Sequence, residues 1–250
     1  MKIIINADDL GISESVNDAI FDGMGRGVIT SATMLSNGPA AQMAARRIAQ
    51  FTKRSFGVHL NLTEFEPLCA GSRAELASIL NGDHCFNGNS IREVRITANM
   101  LRAIFREWCA QIENLIRLGV EPSHLDAHHH VHTIPQLLPV MSALRRKYKI
   151  NKVRISRNMY DGPEYPGKIL LAKKYAFNSA LKLIGFRTTG VFTDLATFIK
   201  LCSGCPPRTS SVELMTHPGA LPRGEETELL EGDWPRMLSY KINLVSYKDL

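Results

Sequence analysis

The sequence predicts an α/β fold in which parallel strands form a (β/α) barrel of the TIM type with helices on its outside. Short β-branched segments alternate with amphipathic segments along the chain, and 250 residues suit one such barrel. No linker rich in proline, glycine or serine separates two halves, so we expect a single domain over residues 1–250. An open, doubly wound parallel sheet is the alternative arrangement.

Short apolar runs, typical of strands buried on both faces, predict strands at residues 2–7, 29–35, 56–62, 124–130, 152–155 and 212–216. Helical spacing of apolar residues predicts helices between Ser13 and Gly25 and at residues 40–50, 91–118, 137–148 and 165–184. Residues 69–90 and 185–207 are polar or rich in Gly, Thr and Pro, which indicates loops with short elements. We expect a helix and a short strand after Trp234.

Composition excludes several classes of protein. Hydrophobic residues make up 44% of the chain and charged residues 22%, which is typical of a globular protein. No apolar run approaches the roughly 20 residues of a membrane span, and no signal peptide is evident, so we expect a cytoplasmic protein without membrane insertion. The net charge of +6 comes without a basic, aromatic-rich tract, which argues against nucleic-acid binding. The odd number of cysteines predicts no disulfide framework, and the role of Cys202 and Cys205 stays open.

Acidic and imidazole side chains occur where the predicted strands end. Asp8 and Asp9 close the first strand, His59 lies in the third, His217 follows the last, and five of the eight histidines fall within residues 124–132. Taken singly, the Asp pair suits a turn or helix cap, and His59 suits a core histidine. Because the carboxyl ends of parallel strands share one edge, the four features together indicate one active site.

The spacing of the histidines limits how many of them can bind one ion. Alternate residues of a strand share a face, so His124, Asp126, His128, His130 and His132 would point one way if the strand ran straight. Side chains at i and i+4 are then about 13 Å apart, too far to bind the same ion. We therefore expect one histidine, His128, to join His59 and an aspartate in a His₂Asp set that leaves positions open for catalysis. Asp126, two residues earlier, is placed to support that set.

Four motifs in order resemble the YdjC-type carbohydrate deacetylases, a family that includes the chitooligosaccharide deacetylases. They are Asn6-Ala7-Asp8-Asp9-Leu10-Gly11, Gly57-Val58-His59-Leu60-Asn61-Leu62-Thr63, His124-Leu125-Asp126-Ala127-His128-His129-His130-Val131-His132 and Thr216-His217-Pro218-Gly219. The resemblance extends from residue 2 to about residue 220. It implies a distorted (β/α) barrel, a divalent metal ion, hydrolysis of N-acetyl groups on amino sugars, and a homodimer.

The resemblance also implies roles for individual residues. Asp9, His59 and His128 would hold the metal ion, Asp8 would be the general base that takes a proton from the attacking water, and His217 would be the general acid that protonates the leaving amine. These roles agree with the chemistry of amide hydrolysis, which needs a base and an acid beside the tetrahedral centre.

The sequence is less specific about supporting residues and about the identity of the metal ion. Arg154 is expected to orient Asp8 or to bind substrate, and Asn6 and Asp126 are further supporting or substrate-binding candidates. The resemblance implies Mg²⁺, whereas two imidazoles and one carboxylate suit Zn²⁺ on chemical grounds. The segments 69–90 and 185–210 match no family motif, apart from the Thr-rich start of the second, so the identity of the sugar is left open.

The predicted function is therefore a metal-dependent hydrolase that deacetylates a small acetylated amino sugar or short oligosaccharide. One alternative is a phosphoesterase or another amidohydrolase on the same barrel, for which His124, His130 and His132 could supply ligands to a second ion. Another is a sugar- or metal-binding module without turnover. Metal-dependent release of acetate would distinguish the predicted deacetylase from both alternatives.

Overall fold

In the computed structural model, which describes residues 1–220 and 224–250, seven parallel strands form one curled sheet. The strands are β1 (Lys2–Leu10), β2 (Ser31–Met34), β3 (Ser55–Leu60), β4 (Leu125–Ala127), β5 (Val191–Asp194), β6 (Ser211–Thr216) and β7 (Asn243–Leu244). Their order across the sheet is β4-β3-β2-β1-β6-β5, and β7 pairs with the start of β1. The sheet curls around a central axis, and β1 is one of the central strands of the sheet.

An extended segment spans the gap between the outer strands β4 and β5. Within it Val153 bridges Leu125 of β4, and Lys152 bridges Arg187 just before β5. Further along, the Asn158 amide donates to the carbonyl of Phe192 in β5 at 3.3 Å. The predicted α/β fold with a distorted barrel is therefore confirmed, and the open doubly wound alternative is wrong. The strand predicted at residues 152–155 is reduced to these isolated bridges.

Helices cover the outside of the curled sheet. They are α1 (Glu14–Arg26), α2 (Ala41–Ile48), α3 (Arg73–Leu76), α4 (Ala98–Arg117), α5 (Leu138–Tyr148), α6 (Lys168–Leu183), α7 (Leu195–Cys202) and α8 (Gly224–Glu231), with short 3₁₀ turns between several of them. The hydrophobic core lies between them and the sheet, where residues such as Ile3 and Ile5 of β1 are fully buried. In the described part of the chain, no helix combines the length and apolar character that a membrane crossing requires.

Local signals explain where α1 begins and ends. The Ser13 side chain accepts a hydrogen bond from the Val16 amide, which caps the helix start. Gly27 ends the helix with φ of 86°, a left-handed conformation that glycine adopts without strain. The long helix predicted at residues 91–118 begins later, at Ala98, because the Thr97 side chain caps it there by accepting from the Met100 amide.

One further expectation for the elements was wrong. The strand predicted at residues 124–130 ends at Ala127, and residues 128–133 form a tight turn instead. Residues 185–207, expected to be a loop with short elements, contain β5 and α7 as those elements. The four-residue β5 is too short to show a clear period, and α7 begins directly at its end, where Asp194 accepts from the Thr197 amide at 2.7 Å.

Strand alternation gives the barrel a polar interior. Asn6, Asp8, Thr33, His59 and Glu213 come from four different strands, and all of them are buried. Their side chains belong to one hydrogen-bonded network, whereas the residues between them face the helices. Polar and ionisable side chains therefore line the axis of the barrel towards the carboxyl ends of its strands.

Candidate active site

The two consecutive aspartates at the end of β1 are separated by an unusual backbone conformation. Asp9 has φ of 67°, in the left-handed region that costs a non-glycine residue about 1–2 kcal/mol, and the pairing of β1 with β2 shifts register between Ala7 and Leu10. As a result Asp8 contacts Arg154 inside the barrel, while Asp9 contacts His59 and His128. Such strain persists where the surrounding structure enforces it, often at functional sites.

Asp9, His59 and His128 form a compact set of possible metal ligands. Oδ1 of Asp9 lies 3.2 Å from Nε2 of His59 and 2.8 Å from Nδ1 of His128. This oxygen has no partner with hydrogen-bond geometry, and neither does the buried Nε2 of His128. Ligand atoms around a metal at about 2.0–2.2 Å lie roughly 3–3.5 Å from one another, so the observed spacing fits a divalent ion.

Asp126 orients His59. The Nδ1 atom of His59 and Oδ1 of Asp126 are 2.7 Å apart, and the two residues are direct partners in the pairing of β3 with β4. This contact leaves Nε2 facing Asp9, the arrangement commonly found for metal-binding histidines. Burial alone lowers the pKa of His59, but the carboxylates of Asp126 and Asp9 outweigh burial and raise the pKa to about 10.

Asp126 was expected to support the set of possible ligands, and it contacts that set through His59. Its position two residues before His128 in the sequence does not bring it to His128. β4 ends at Ala127, so His128 turns away from Asp126 towards Asp9. The other oxygen of Asp126 accepts from the Thr33 hydroxyl at 2.9 Å and lies 2.9 Å from Nη1 of Arg154.

Arg154 is the central cation of the barrel interior and is fully buried. Its two terminal nitrogens donate to the two oxygens of Asp8, each at 2.6 Å, and its Nε donates to Glu213 at 2.7 Å. Asn6 Nδ2 also donates to Asp8, at 3.0 Å. Two of the three supporting candidates from the sequence, Arg154 and Asn6, thus contact Asp8 directly, and the bidentate contact fixes the plane of its carboxylate.

A fully buried layer lies beneath Arg154. The Tyr247 hydroxyl donates to Glu213, and the Tyr247 ring stacks on the His124 imidazole with ring centroids 3.6 Å apart. Gly57 makes room for that imidazole, since a Cβ atom there would lie 2.6 Å from its ring. Burial raises the pKa of Glu213 to about 7 against the opposing effect of Arg154, and burial lowers the pKa of His124 to about 3.

The histidine-rich turn sends its side chains in different directions. His129 and His130 have positive φ values of 49° and 55°, which reverse the chain immediately after His128. His130 packs edge-on against the Phe192 ring, and His132 Nε2 lies 3.1 Å from the carbonyl of Arg154. The expected alternation of histidines on one strand face was wrong, and within the described residues His124, His130 and His132 belong to no group of possible metal ligands.

His217 lies at the end of β6, on the side of Asp8. Its Nε2 is 3.9 Å from Oδ2 of Asp8, and its side chain is 13% exposed. The backbone amide of His217 donates to Oε1 of Glu226 at 2.6 Å, and the same oxygen lies 3.7 Å from Nδ1 of the ring. Every candidate residue from the sequence is therefore within this single region of the barrel mouth or directly beneath it.

The sequence analysis missed several residues of this region. Glu64 follows the third strand and places Oε1 3.5 Å from Nε2 of His128, so Glu64, His128 and His129 form a second group of possible ligands. Its position directly after the motif that ends at Thr63 was the available signal. Glu213 and Tyr247 gave no signal, because a lone Glu within a strand and a Tyr near the chain end are common. Cys202 is buried and Cys205 is exposed, and neither is part of the site.

Comparisons with known proteins agree with these motifs. Residues 2–238 match the family described as YdjC-like protein. A carbohydrate deacetylase of Halalkalibacterium halodurans is 32% identical over 222 residues, which are 87% of this chain and 85% of that protein. A carbohydrate deacetylase of Clostridium beijerinckii is 27% identical over the whole of both chains.

A solved structure from Enterococcus faecalis V583 extends the similarity to three dimensions. That protein, described as a cellobiose-phosphate cleavage protein, superposes with a TM-score of 0.78 at 25% identity and covers 99% of this chain and 98% of its own. The resemblance inferred from the four motifs is thus confirmed over nearly the whole length. The chain belongs to the family of YdjC-like proteins.

Proposed function

We propose that this protein is a metal-dependent hydrolase that removes the N-acetyl group from an acetylated amino sugar or a short oligosaccharide. The relatives named carbohydrate deacetylases support the type of substrate and reaction. The observation that supports the proposal is the grouping of Asp9, His59 and His128 around a carboxylate oxygen that makes no hydrogen bond, next to Asp8 in the sequence. Amide hydrolysis needs this combination of a Lewis-acid site and a separate carboxylate base.

The three ligand residues would hold one divalent ion. When bound, such an ion polarises the amide carbonyl and lowers the pKa of the attacking water. The donor set of two imidazoles and one carboxylate favours Zn²⁺ or a similar ion, whereas the family resemblance implies Mg²⁺. Asp126 supports this role by fixing the ring of His59, so that Nε2 stays directed towards Asp9.

Asp8 is the proposed general base. Its carboxylate is almost fully buried, and Arg154 and Asn6 hold it from inside the barrel. The bidentate contact with Arg154 prevents rotation of the carboxylate, so it keeps one orientation towards the mouth. In this position Asp8 accepts the proton of the attacking water, while the adjacent Asp9 remains a ligand.

His217 is the proposed general acid. Its Nε2 faces Asp8 at 3.9 Å, so the acid and the base flank the same space. Glu226 lies 3.7 Å from Nδ1 and accepts from the His217 amide, which holds the residue in place. A protonated Nε2 there donates to the leaving amine as the C–N bond breaks.

Acetate release from N-acetylglucosamine, its short oligomers and a phosphorylated disaccharide tests the proposal, using metal-stripped and metal-restored protein. We expect release only with metal present. Asp8→Asn should lower kcat/KM by about 10²–10⁴-fold while calorimetry shows metal binding within a few-fold of wild type. His128→Ala should lose both, and Asp18→Asn, an exposed carboxylate outside the site, should lose neither.

Two results would contradict this proposal. Turnover close to wild type in Asp8→Asn would remove Asp8 as the base. Metal binding without acetate release from any member of the panel would favour a different amide, a phosphoester or a binding module instead. The single domain over residues 1–250, the homodimer and the cytoplasmic location stay predictions, and sedimentation equilibrium tests the homodimer.

A further inference from the structure

Helix α6 exposes an unusual amount of apolar surface. Ile169 is 76% exposed and Leu183 is 86% exposed, and Tyr165, just before the helix, is 60% exposed. Within the described residues, half of the strongly exposed large apolar side chains lie between Tyr165 and Leu183. An exposed apolar patch of this kind in a soluble fold usually marks an interaction surface.

The exposed apolar residues form a stripe along one side of α6. Ile169, Ala172, Ala176 and Leu183 are spaced three, four and seven residues apart and all are exposed, which places them on one helix face. The opposite face carries Phe177 and Leu181, which are buried against the barrel. The helix therefore has two apolar sides, and only one of them is covered by the protein.

Two exposed lysines, Lys168 and Lys173, flank the exposed stripe. The helix contains Lys168, Lys173, Lys174 and Lys182, and no acidic residue occurs in the sequence from Tyr165 to Thr193. Lys168, Lys173 and Lys182 are exposed, whereas Lys174 is half-buried and donates to the Tyr160 hydroxyl. Self-association through α6 would place lysines against lysines, which costs electrostatic energy. The charge pattern instead complements a negatively charged partner.

The start of α6 also borders a cavity beside the active site. This cavity of about 690 Å³ is lined by Leu170, Lys174 and Phe177 of α6 together with Arg92 and other residues. Arg92 donates to the carbonyl of His129 at 2.8 Å, one residue after the proposed ligand His128. A partner that covers α6 would therefore sit next to the barrel mouth.

We propose that α6 docks this protein onto the surface of anionic lipid bilayers. In this arrangement the stripe from Ile169 to Leu183 enters the headgroup region, and the flanking lysines contact lipid phosphates. A bilayer supplies both an apolar interior and a layer of negative charge, which is the combination that the helix presents. The binding is peripheral and does not depend on the proposed deacetylase activity.

Co-sedimentation with lipid vesicles tests this proposal. We expect the full-length protein to bind vesicles of phosphatidylcholine containing about one third phosphatidylglycerol at least about tenfold more strongly than pure phosphatidylcholine. High salt should weaken the binding, because it screens the lysines. The double variant Ile169→Gln/Leu183→Gln should lose about tenfold or more of the binding to the mixed vesicles.

A matched variant and a second measurement keep the test decisive. Ile116→Gln changes a 48% exposed isoleucine on α4 and should bind like wild type. Circular dichroism melting should show that all variants remain folded, as expected for exposed positions. Equal binding to both kinds of vesicle, or unchanged binding of the double variant, would overturn the proposal. A dimer that the double variant dissociates, without vesicle binding by wild type, would assign the helix face to a second copy of the chain.

Discussion

Two polar clusters inside this barrel look alike in composition and differ in how their atoms are paired. At the mouth, Oδ1 of Asp9 and Nε2 of His128 are buried and have no hydrogen-bond partner. Below it, Arg154 donates to Asp8 and Glu213, and Tyr247 donates to Glu213 in turn. Buried polar atoms in folded proteins are nearly always paired, so the two atoms without a hydrogen bond fit the group of possible metal ligands at the mouth, and the paired ones indicate a structural support.

The two clusters also differ in how they balance charge. Arg154 contacts all three buried carboxylates of the lower cluster, those of Asp8, Asp126 and Glu213. Burial raises the pKa of Glu213 to about 7, and the carboxylates of Asp126 and Asp9 overcome the opposing effect of burial and raise the pKa of His59 to about 10. Arg154 thus balances much of the charge of the lower cluster, whereas Asp9 faces the imidazoles of His59 and His128, the two other proposed ligands.

Replacing Arg154 by Met should have the largest effect on stability, because it leaves three buried carboxylates without their counter-charge. We expect a loss of about 3–5 kcal/mol in the free energy of unfolding, measured by urea denaturation. Arg106→Met, which breaks an exposed pair with Glu75, is the control and should change little. A loss below about 1 kcal/mol for Arg154→Met would show that the lower cluster is not a structural support.

Adding a divalent ion to metal-stripped protein should give the next largest effect. An ion at 100 times its dissociation constant stabilises the protein by about 2.7 kcal/mol, provided that it binds only the folded state. Thermal denaturation with and without metal measures this shift. His128→Ala should abolish it, whereas His84→Ala, at an exposed histidine away from the site, should retain it. A full shift in His128→Ala would place the ion elsewhere.

The stability of the protein should also depend on pH through His124 of the lower cluster. Burial lowers the pKa of this histidine to about 3, so its contribution to stability is present above pH 6.5 and is lost as the pH falls towards 3. Between pH 7 and pH 5 this loss amounts to about 2 kcal/mol. His124→Phe keeps an aromatic ring against Tyr247 and cannot titrate. The difference in free energy of unfolding between wild type and this variant should therefore become about 2 kcal/mol smaller from pH 7 to pH 5. Parallel stability curves for the two proteins would contradict the assignment.

Breaking an exposed ion pair should have the smallest effect on stability. Nζ of Lys147 lies 2.8 Å from Oε1 of Glu113, and both side chains are about half exposed. Because water screens such a pair, Lys147→Met should cost less than about 1 kcal/mol in urea denaturation. A cost approaching that of Arg154→Met would mean that burial does not determine the strength of the charge contacts in this protein.

Much of the fold could be predicted from the sequence because its signals are local. The β-branched runs at residues 2–7 and 212–216 correspond to β1 and β6, and Ser13 begins α1 as expected. β5 was missed, because four residues carry too little periodicity. The late start of α4 was missed as well, because apolar spacing continues through the turn at residues 88–92 while Thr97 begins the helix.

The sequence by itself determined which strands carry chemical groups to the mouth. Asp8, Asp9, His59 and His217 lie at or near strand ends, and the carboxyl ends of parallel strands meet at one edge. The family also follows from the motifs around these residues. These conclusions require only the order of the residues and the direction of the strands, and both can be inferred from the sequence pattern.

Only the tertiary structure decided how these groups pair. Asp126 orients His59 because β3 and β4 align in that register, and His128 faces Asp9 because the chain turns after Ala127. Glu213 and Tyr247 are far from the motifs in sequence, yet they hold Arg154 from below. Register, turns and long-range packing depend on the whole chain, so no local pattern could specify them.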